Sequence, residues 1–381
     1  MYDLILKDGR VIDPSQDLDA VQDVAFAAGK VAKVAANIAP TEAKATRDVS
    51  GRMVVPGLID LHTHVYWGGT SLGVDAEMIA RRSGTTTFVD AGSAGAGNMP
   101  GFRKHVIEPS APRILAYINI SFAGIFGFSK NVMVGECGDM RLVHPQECLR
   151  AARENLDIIV GVKARIGSKA GGNSGLAPLV LAIEVADQLG LPVMAHIDMP
   201  PPSQREVLNI LRSGDVLTHC FRPFPNAPIH ADRSIREEVL AARERGVFFD
   251  IGHGYGGFSF DSCRAMMKEG IMPNAISSDV HALSVDGPAR DLLAVMSKFV
   301  ALGMPLHEVI RAATVNVATA LRREDLGTLR VGAAGDATVL EMRNGTVEHV
   351  DVVGEVLRAD QRLANAGMVI GGRWWYDGED S

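Results

Sequence analysis

Eight short apolar runs, at 55–64, 85–92, 113–120, 158–166, 192–198, 215–221, 247–253 and 275–280, alternate with segments patterned for helix. Runs of this length, rich in valine and isoleucine, read as strands buried on both faces, and intervening helices return each strand parallel to the last. Helices are predicted over 179–189, 204–211, 234–245 and 289–302. Eight strand-helix units predict an α/β fold closed as a (β/α)8 TIM-type barrel over 55–327. The flanks read differently. Leu4 to Pro14 predicts two short strands about Asp8-Gly9, 24–34 repeats that pattern, and 335–341 with 368–374 are strand-like and punctuated by glycine. A small β-sandwich domain built from both chain ends, 1–54 plus 328–381, follows from this.

A barrel of this kind presents its reactive groups at the C-terminal ends of its strands. The polar residues fall there. His62 and His64 end the first run, Lys163 and Arg165 lie late in the fourth, and His196, His219, His253 and Asp279 end the fifth to the eighth. Five of the eleven histidines close strands.

Asp60-Leu61-His62-Thr63-His64 sets three polar side chains two apart, so an unbroken strand turns all three to the interior. The two imidazoles either converge on a metal or stand as a solvent-facing or core-satisfied pair, and Asp60 is a carboxylate that could orient a ligating ring. Lys163 lies in Ile158-Ile159-Val160-Gly161-Val162-Lys163-Ala164-Arg165-Ile166, whose apolar flanks demand burial. A buried ammonium needs compensation. Either it pairs with a carboxylate, or the amine takes up carbon dioxide to give a carbamate whose two oxygens bridge two cations. His196 and His219 are either hydrogen-bonded core histidines or the holders of a second metal. Asp279, after Ala275-Ile276-Ser277-Ser278, could bind metal and also carry a proton.

This ordered set resembles the amidohydrolase superfamily over essentially the whole chain. The resemblance includes Val55-Pro56-Gly57-Leu58-Ile59-Asp60-Leu61-His62-Thr63-His64, the helix at 313–321 and the exit Gly327-Thr328-Leu329-Arg330-Val331-Gly332-Ala333-Ala334-Gly335-Asp336. It implies a binuclear centre of two divalent ions, zinc foremost. His62, His64, the N6-carboxylysine at Lys163 and Asp279 would hold one ion, and that carbamate with His196 and His219 the other, with Asp279 the catalytic base and then acid.

The substrate must be read from the residues around that centre. Arg165 shares the face of Lys163 and either captures a substrate carboxylate or pairs with a loop Asp or Glu. His253 and Tyr255, in the glycine-rich 253–260 turn, either contact the substrate or belong to a mobile loop with a structural histidine. His281 lies two beyond Asp279 and could orient it. Tyr117 and Asn119 are weaker candidates, suited to packing or capping. Dihydroorotases usually carry an arginine two residues after the second histidine, where this chain has Tyr66, and Asp279-Val280-His281-Ala282 departs from their Ala-Pro-His pattern. The Lys163-Ala164-Arg165, Gly252-His253-Gly254 and Ser278-Asp279-Val280-His281 pieces look more like a deacetylase-type branch often mislabelled dihydroorotase. That resemblance implies cleavage of an acyl group, acetyl foremost, from a small carboxylate such as an N-acyl amino acid or an O-acyl 2-hydroxy acid. A dihydroorotase-like cyclic amidohydrolase and a catalytically inactive scaffold barrel are the alternatives.

A net charge of -7 over 381 residues gives no basic footprint for nucleic acid, and no apolar run reaches membrane-spanning length. The N-terminal residues lack a signal-peptide pattern, and Cys137, Cys148, Cys220 and Cys263 lack C-x-x-C spacing. A cytoplasmic protein with reduced thiols, a small-molecule partner and possible homo-oligomers is the expectation.

Overall fold

The computed structural model describes residues 1–378. The two chain ends meet in one eight-stranded sheet. Met53–Pro56 runs parallel to Leu4–Asp13 on one side and antiparallel to Ala337–Val350 on the other, and this pairing stitches the ends together. Leu6, Val11, Val24, Phe26, Val54, Val339 and Val369 form the apolar layer beneath.

The expected break at Asp8-Gly9 is a bulge inside a single strand, not a turn. The register with Leu18–Ala27 shifts between Leu6 and Gly9, and Asp8 takes φ 61°. Asp23 holds it there, accepting the Asp8 amide at 2.8 Å and the Lys7 ammonium at 2.5 Å. Gly9 lies against Val54 and Val49 with no space for a Cβ.

A second difference lies at Gly57. The run expected over 55–64 is two strands, Met53–Pro56 in the terminal sheet and Leu58–Thr63 in the barrel. A Cβ at Gly57 would meet Thr86 and Asp336, so only glycine lets the two layers cross so closely.

From Leu58–Thr63 onward, Thr85–Gly95, Arg113–Asn119, Ile159–Ile166, Val193–Ile197, Val216–Leu217 and Phe248–Phe249 pair in parallel, each with its predecessor. The eighth position, 275–280, is extended chain that closes the ring through bridges rather than a long ladder. The amides of His253 and Gly254 donate to Ser277 and Ser278 carbonyls, and the amides of Asp279 and His64 donate to His62 and Val280 carbonyls. The helices Ala177–Leu189, Gln204–Ile210, Glu237–Glu244 and Leu292–Ala301 lie where the pattern predicts them. Below the mouth, Ile59, Leu61, Val89, Leu115, Tyr117, Val160, Met194 and Val216 fill the interior, so the polar groups sit on an apolar floor. Tyr117 belongs to that floor, and Asn119 spends its amide on the Gly92 carbonyl. All four cysteines are buried and unpaired.

Candidate metal centre

The first barrel strand carries an irregularity that sets the site. Its register with the second strand gains a residue between Asp60 and Thr63. Ile59 and Leu61 thus pack inward while His62 and His64, past the extra residue, reach the same interior. Asp60 falls out of phase with the histidines. It orients no imidazole; its carboxylate instead accepts from the Ser278 amide at 2.9 Å and the Ser278 hydroxyl at 2.5 Å, fixing the segment that carries Asp279. Burial pushes the Asp60 carboxyl up to about 8.

His62, His64 and Asp279 offer ligand atoms all within 4.8 Å of one another. Asp279 Oδ1 lies 3.4 Å from His62 Nε2 and 3.3 Å from His64 Nε2. The far ring nitrogens are engaged elsewhere. The Thr218 hydroxyl donates to Asp250 Oδ2 at 2.7 Å, so its oxygen accepts from His62 Nδ1 at 2.7 Å. That assignment leaves the His62 Nε2 lone pair facing Asp279. His64 Nδ1 meets Ser93 Oγ at 2.9 Å, and the Ser93 amide is held by Asp90.

His196 and His219 form a second group. His219 Nδ1 must carry its proton, because it lies 2.5 Å from the Gly252 carbonyl, which can only accept. Its Nε2 is then a lone pair aimed at His196 Nδ1, 2.7 Å away. Burial drives His62, His196 and His219 well below the usual imidazole range and His64 down to about 3. These rings are neutral near pH 7, as metal ligation requires. His219 at φ 61° and Asp279 at φ 49° adopt left-handed backbone, a strain that persists only where the surroundings impose it.

Lys163 is fully buried, and its Nζ has no hydrogen-bond partner among the described residues. Burial lowers it to about 7, and its charge acts on all four histidines and on Asp279. Gly92, at φ +85°, rests on the Lys163 Cβ and Cγ. The first alternative, a carboxylate partner, is not met within hydrogen-bonding reach among the described residues. Four neutral imidazoles, one carboxylate raised to about 6 by burial and an orphaned amine have the donor chemistry of a cationic cluster.

The residues expected to touch substrate separate. Arg165 is paired with Glu136 at 3.0 Å, both buried, and lies 5.2 Å over the Phe128 ring. His253 is not at the site mouth. It is fully buried, its Nε2 lies 2.7 Å from the Lys298 ammonium, its Nδ1 lies 3.1 Å from the Gly254 carbonyl, and its ring stacks on Phe258. Both nitrogens are occupied, so it offers substrate nothing. Tyr255 is exposed on the same loop. His281 Nδ1 accepts the Leu283 amide at 3.1 Å, leaving Nε2 to carry the proton, with its ring 6.2 Å from that of His64.

Several site residues escape a reading of the sequence. Thr218 and Asp250 are polar ends of short apolar strands, a signal that was there to find. Arg222 gave none. It follows His219 by three and reaches back to the Ile197 carbonyl beside His196; its Nε has no partner among the described residues. Glycines back the candidate ligands: a Cβ at Gly252 would strike Thr218, one at Gly257 His219, and one at Gly254 Asp279.

Known proteins share this fold. No family model matches the chain. A deacetylase from Agrobacterium fabrum is 35% identical over 90% of this chain and 84% of its own length. Two solved structures superpose on nearly all of it: one titled a dihydroorotase, 33% identical with TM-score 0.90, and one titled an adenine deaminase, 30% identical with TM-score 0.91. Each covers 99% of this chain and 100% of its own. The names differ while the fold persists, so the fold alone does not fix the substrate. The chain belongs to the amidohydrolase superfamily, as a metal-dependent hydrolase of its deacetylase-type branch.

Proposed function

We propose that the chain is a binuclear deacylase that removes an acyl group, acetyl foremost, from a small carboxylate-bearing molecule such as an O-acetyl-2-hydroxy acid or an N-acetyl amino acid. The observation that carries this reading is Lys163, a buried amine with no partner in the midst of five metal-ligating groups. Carbamylation answers its isolation. The neutral amine attacks carbon dioxide, a nitrogen-carbon bond forms, one carbon-oxygen π pair moves to oxygen, and the displaced proton leaves to solvent. The resulting anion would offer two oxygen donors to divalent ions. His62, His64 and Asp279 would hold the first ion with it, and His196 and His219 the second. Nitrogen and oxygen donors of this kind suit zinc. Bound there, divalent ions supply Lewis acidity, which acidifies water and polarises a carbonyl.

The protein's own groups then divide the remaining work. Asp279, its carboxyl raised to about 6 by burial, accepts the proton of the attacking water and returns it to the leaving group. His281 offers its Nε2 proton to the substrate. Arg222 receives the substrate carboxylate. Arg165 is already answered by Glu136, whereas Arg222 is buried, has no ion pair among the described residues, and lies beside His196. A dihydroorotase activity fits less well, since Tyr66, where those enzymes usually place an arginine, turns away to stack on Phe102 with its hydroxyl 3.2 Å from the Asn98 carbonyl. The name of the deacetylase relative supports the acyl reading.

A hydrolysis screen of metal-loaded protein against O-acetyl-2-hydroxy acids, N-acetyl-D- and L-amino acids and dihydroorotate tests this. Turnover of an acetylated carboxylate is the expected result. Turnover of dihydroorotate alone would overturn it.

A further inference from the structure

Beyond the metal centre, a cavity of about 720 Å³ opens between the 286–291 loop, the helix Leu292–Ala301 and the hairpin of Ala337–Val350 with Val356–Ile370. Its wall holds a buried cation without a bonded counter-ion. The Lys298 ammonium donates to the Pro288 carbonyl at 2.6 Å, the Val350 carbonyl at 2.8 Å and His253 Nε2 at 2.7 Å, all neutral acceptors. The two carboxylates whose charge reaches it are committed elsewhere. Asp351 accepts the amides of Phe260, Val353 and Glu355, and Asp291 caps its helix at the Ala294 amide while pairing with Arg82. His349, 6% exposed, also lines the cavity, and its Nε2 has no partner among the described residues. Half-buried Arg362 and exposed Arg290 add guanidiniums that make no ion pair among the described residues. Of the other carboxylates on this wall, Glu348 pairs with Arg358 and Asp286 makes no ion pair among the described residues, while the three protons of Lys298 are already donated, so the open guanidiniums of Arg290 and Arg362 are the donors that would meet an oxyanion beside the Lys298 charge.

The same wall is wired to the catalytic side. Lys298 donates to His253, and His253 Nδ1 donates to the Gly254 carbonyl. The Gly254 amide is held by Ser278, next to Asp279, and Gly254 rests on the Asp279 carboxylate. On the near side of the loop, the Gly252 carbonyl holds His219 Nδ1; on the far side, Tyr255 lines the cavity. We propose that this cavity binds a small oxyanion, a carboxylate or phosphate compound, and that its occupancy is transmitted to Asp279 and His219 through the 252–257 loop. Burial lowers Lys298 to about 7, and a bound anion would hold it charged. The inference goes beyond the hydrolase reading and does not need it, since binding and loop protection are measurable without turnover.

The test is calorimetric titration of the metal-loaded protein with inorganic phosphate and, separately, succinate, with chloride at matched ionic strength as control, together with amide hydrogen exchange over 252–257. Saturable binding of one of the two anions, with slower exchange in that loop, is expected, and the anion that binds names the source. Arg362→Gln should weaken binding at least tenfold. Lys298→Met should do the same if it folds, and Arg362→Gln decides the matter if it does not. The proposal is overturned if neither anion binds saturably, if binding in Arg362→Gln equals that in the parent protein, or if binding leaves exchange at 252–257 unchanged.

Discussion

His62 and Thr218 are joined by a 2.7 Å hydrogen bond from Nδ1 to Oγ1, and the same hydroxyl donates onward to Asp250. The relay fixes the ring's tautomer and direction from a strand five positions away around the barrel. Thr218→Val removes it while keeping the shape. Metal affinity should fall about 10–100-fold, as it does when such supporting groups are lost, measured by competition with a chelating dye. An unchanged affinity would show that the ring is held by packing alone.

Asp279→Asn should lower kcat about 10²–10⁴-fold, the range for loss of a general base, while metal content stays close to that of the parent. The base must be ionised to work, so parent activity should rise with pH through an acid limb at or below about 6, because burial raises this carboxyl and a bound cation lowers it. The pH-rate profile of the variant should lack that limb.

Gly254 has φ +48°, and a Cβ there would strike the Asp279 carboxylate. Gly254→Ala should therefore remain folded, losing about 1–3 kcal/mol to backbone strain, yet lose about 100-fold in kcat through misplacement of Asp279. Circular dichroism melts and steady-state kinetics separate the two effects.

Arg222→Met should raise KM about 10–100-fold, the worth of a charge-assisted hydrogen bond, with kcat within a few-fold. Arg165→Met should act differently. It leaves Glu136 buried without its ion pair, so stability should fall by roughly 3–5 kcal/mol in denaturant unfolding. A pure KM effect at Arg165 and none at Arg222 would reverse their roles.

What could be read from the chain alone depended on whether the signal was local. His62, His64, His196, His219 and Asp279 each stand at the end of an apolar run and Lys163 late in one, so one-dimensional pattern marks them as candidates. The bulge before Thr63 was invisible, because it is defined by pairing with the second strand and not by residue type. Arg165 and Glu136 are far apart in sequence, and nothing in the 120–143 stretch marks Glu136 as the partner. His253 ends an apolar run as the candidate ligands do, but Lys298 claims its Nε2 from a helix 45 residues on, a pairing with no local signal. Gly57 divided one apparent strand into two because the crossing of two layers leaves no space for a side chain.

The proposed two-cation centre would be bridged by a modified Lys163. Its most direct test is metal analysis of the parent protein and of Lys163→Met, reconstituted with zinc and bicarbonate, with ¹³C-bicarbonate labelling followed by NMR. About two equivalents of metal per chain, as a binuclear centre requires, and a carbamate signal are expected in the parent, with both reduced or lost in the variant. A parent protein that takes up no metal, or a variant that binds as much metal as the parent, would contradict it.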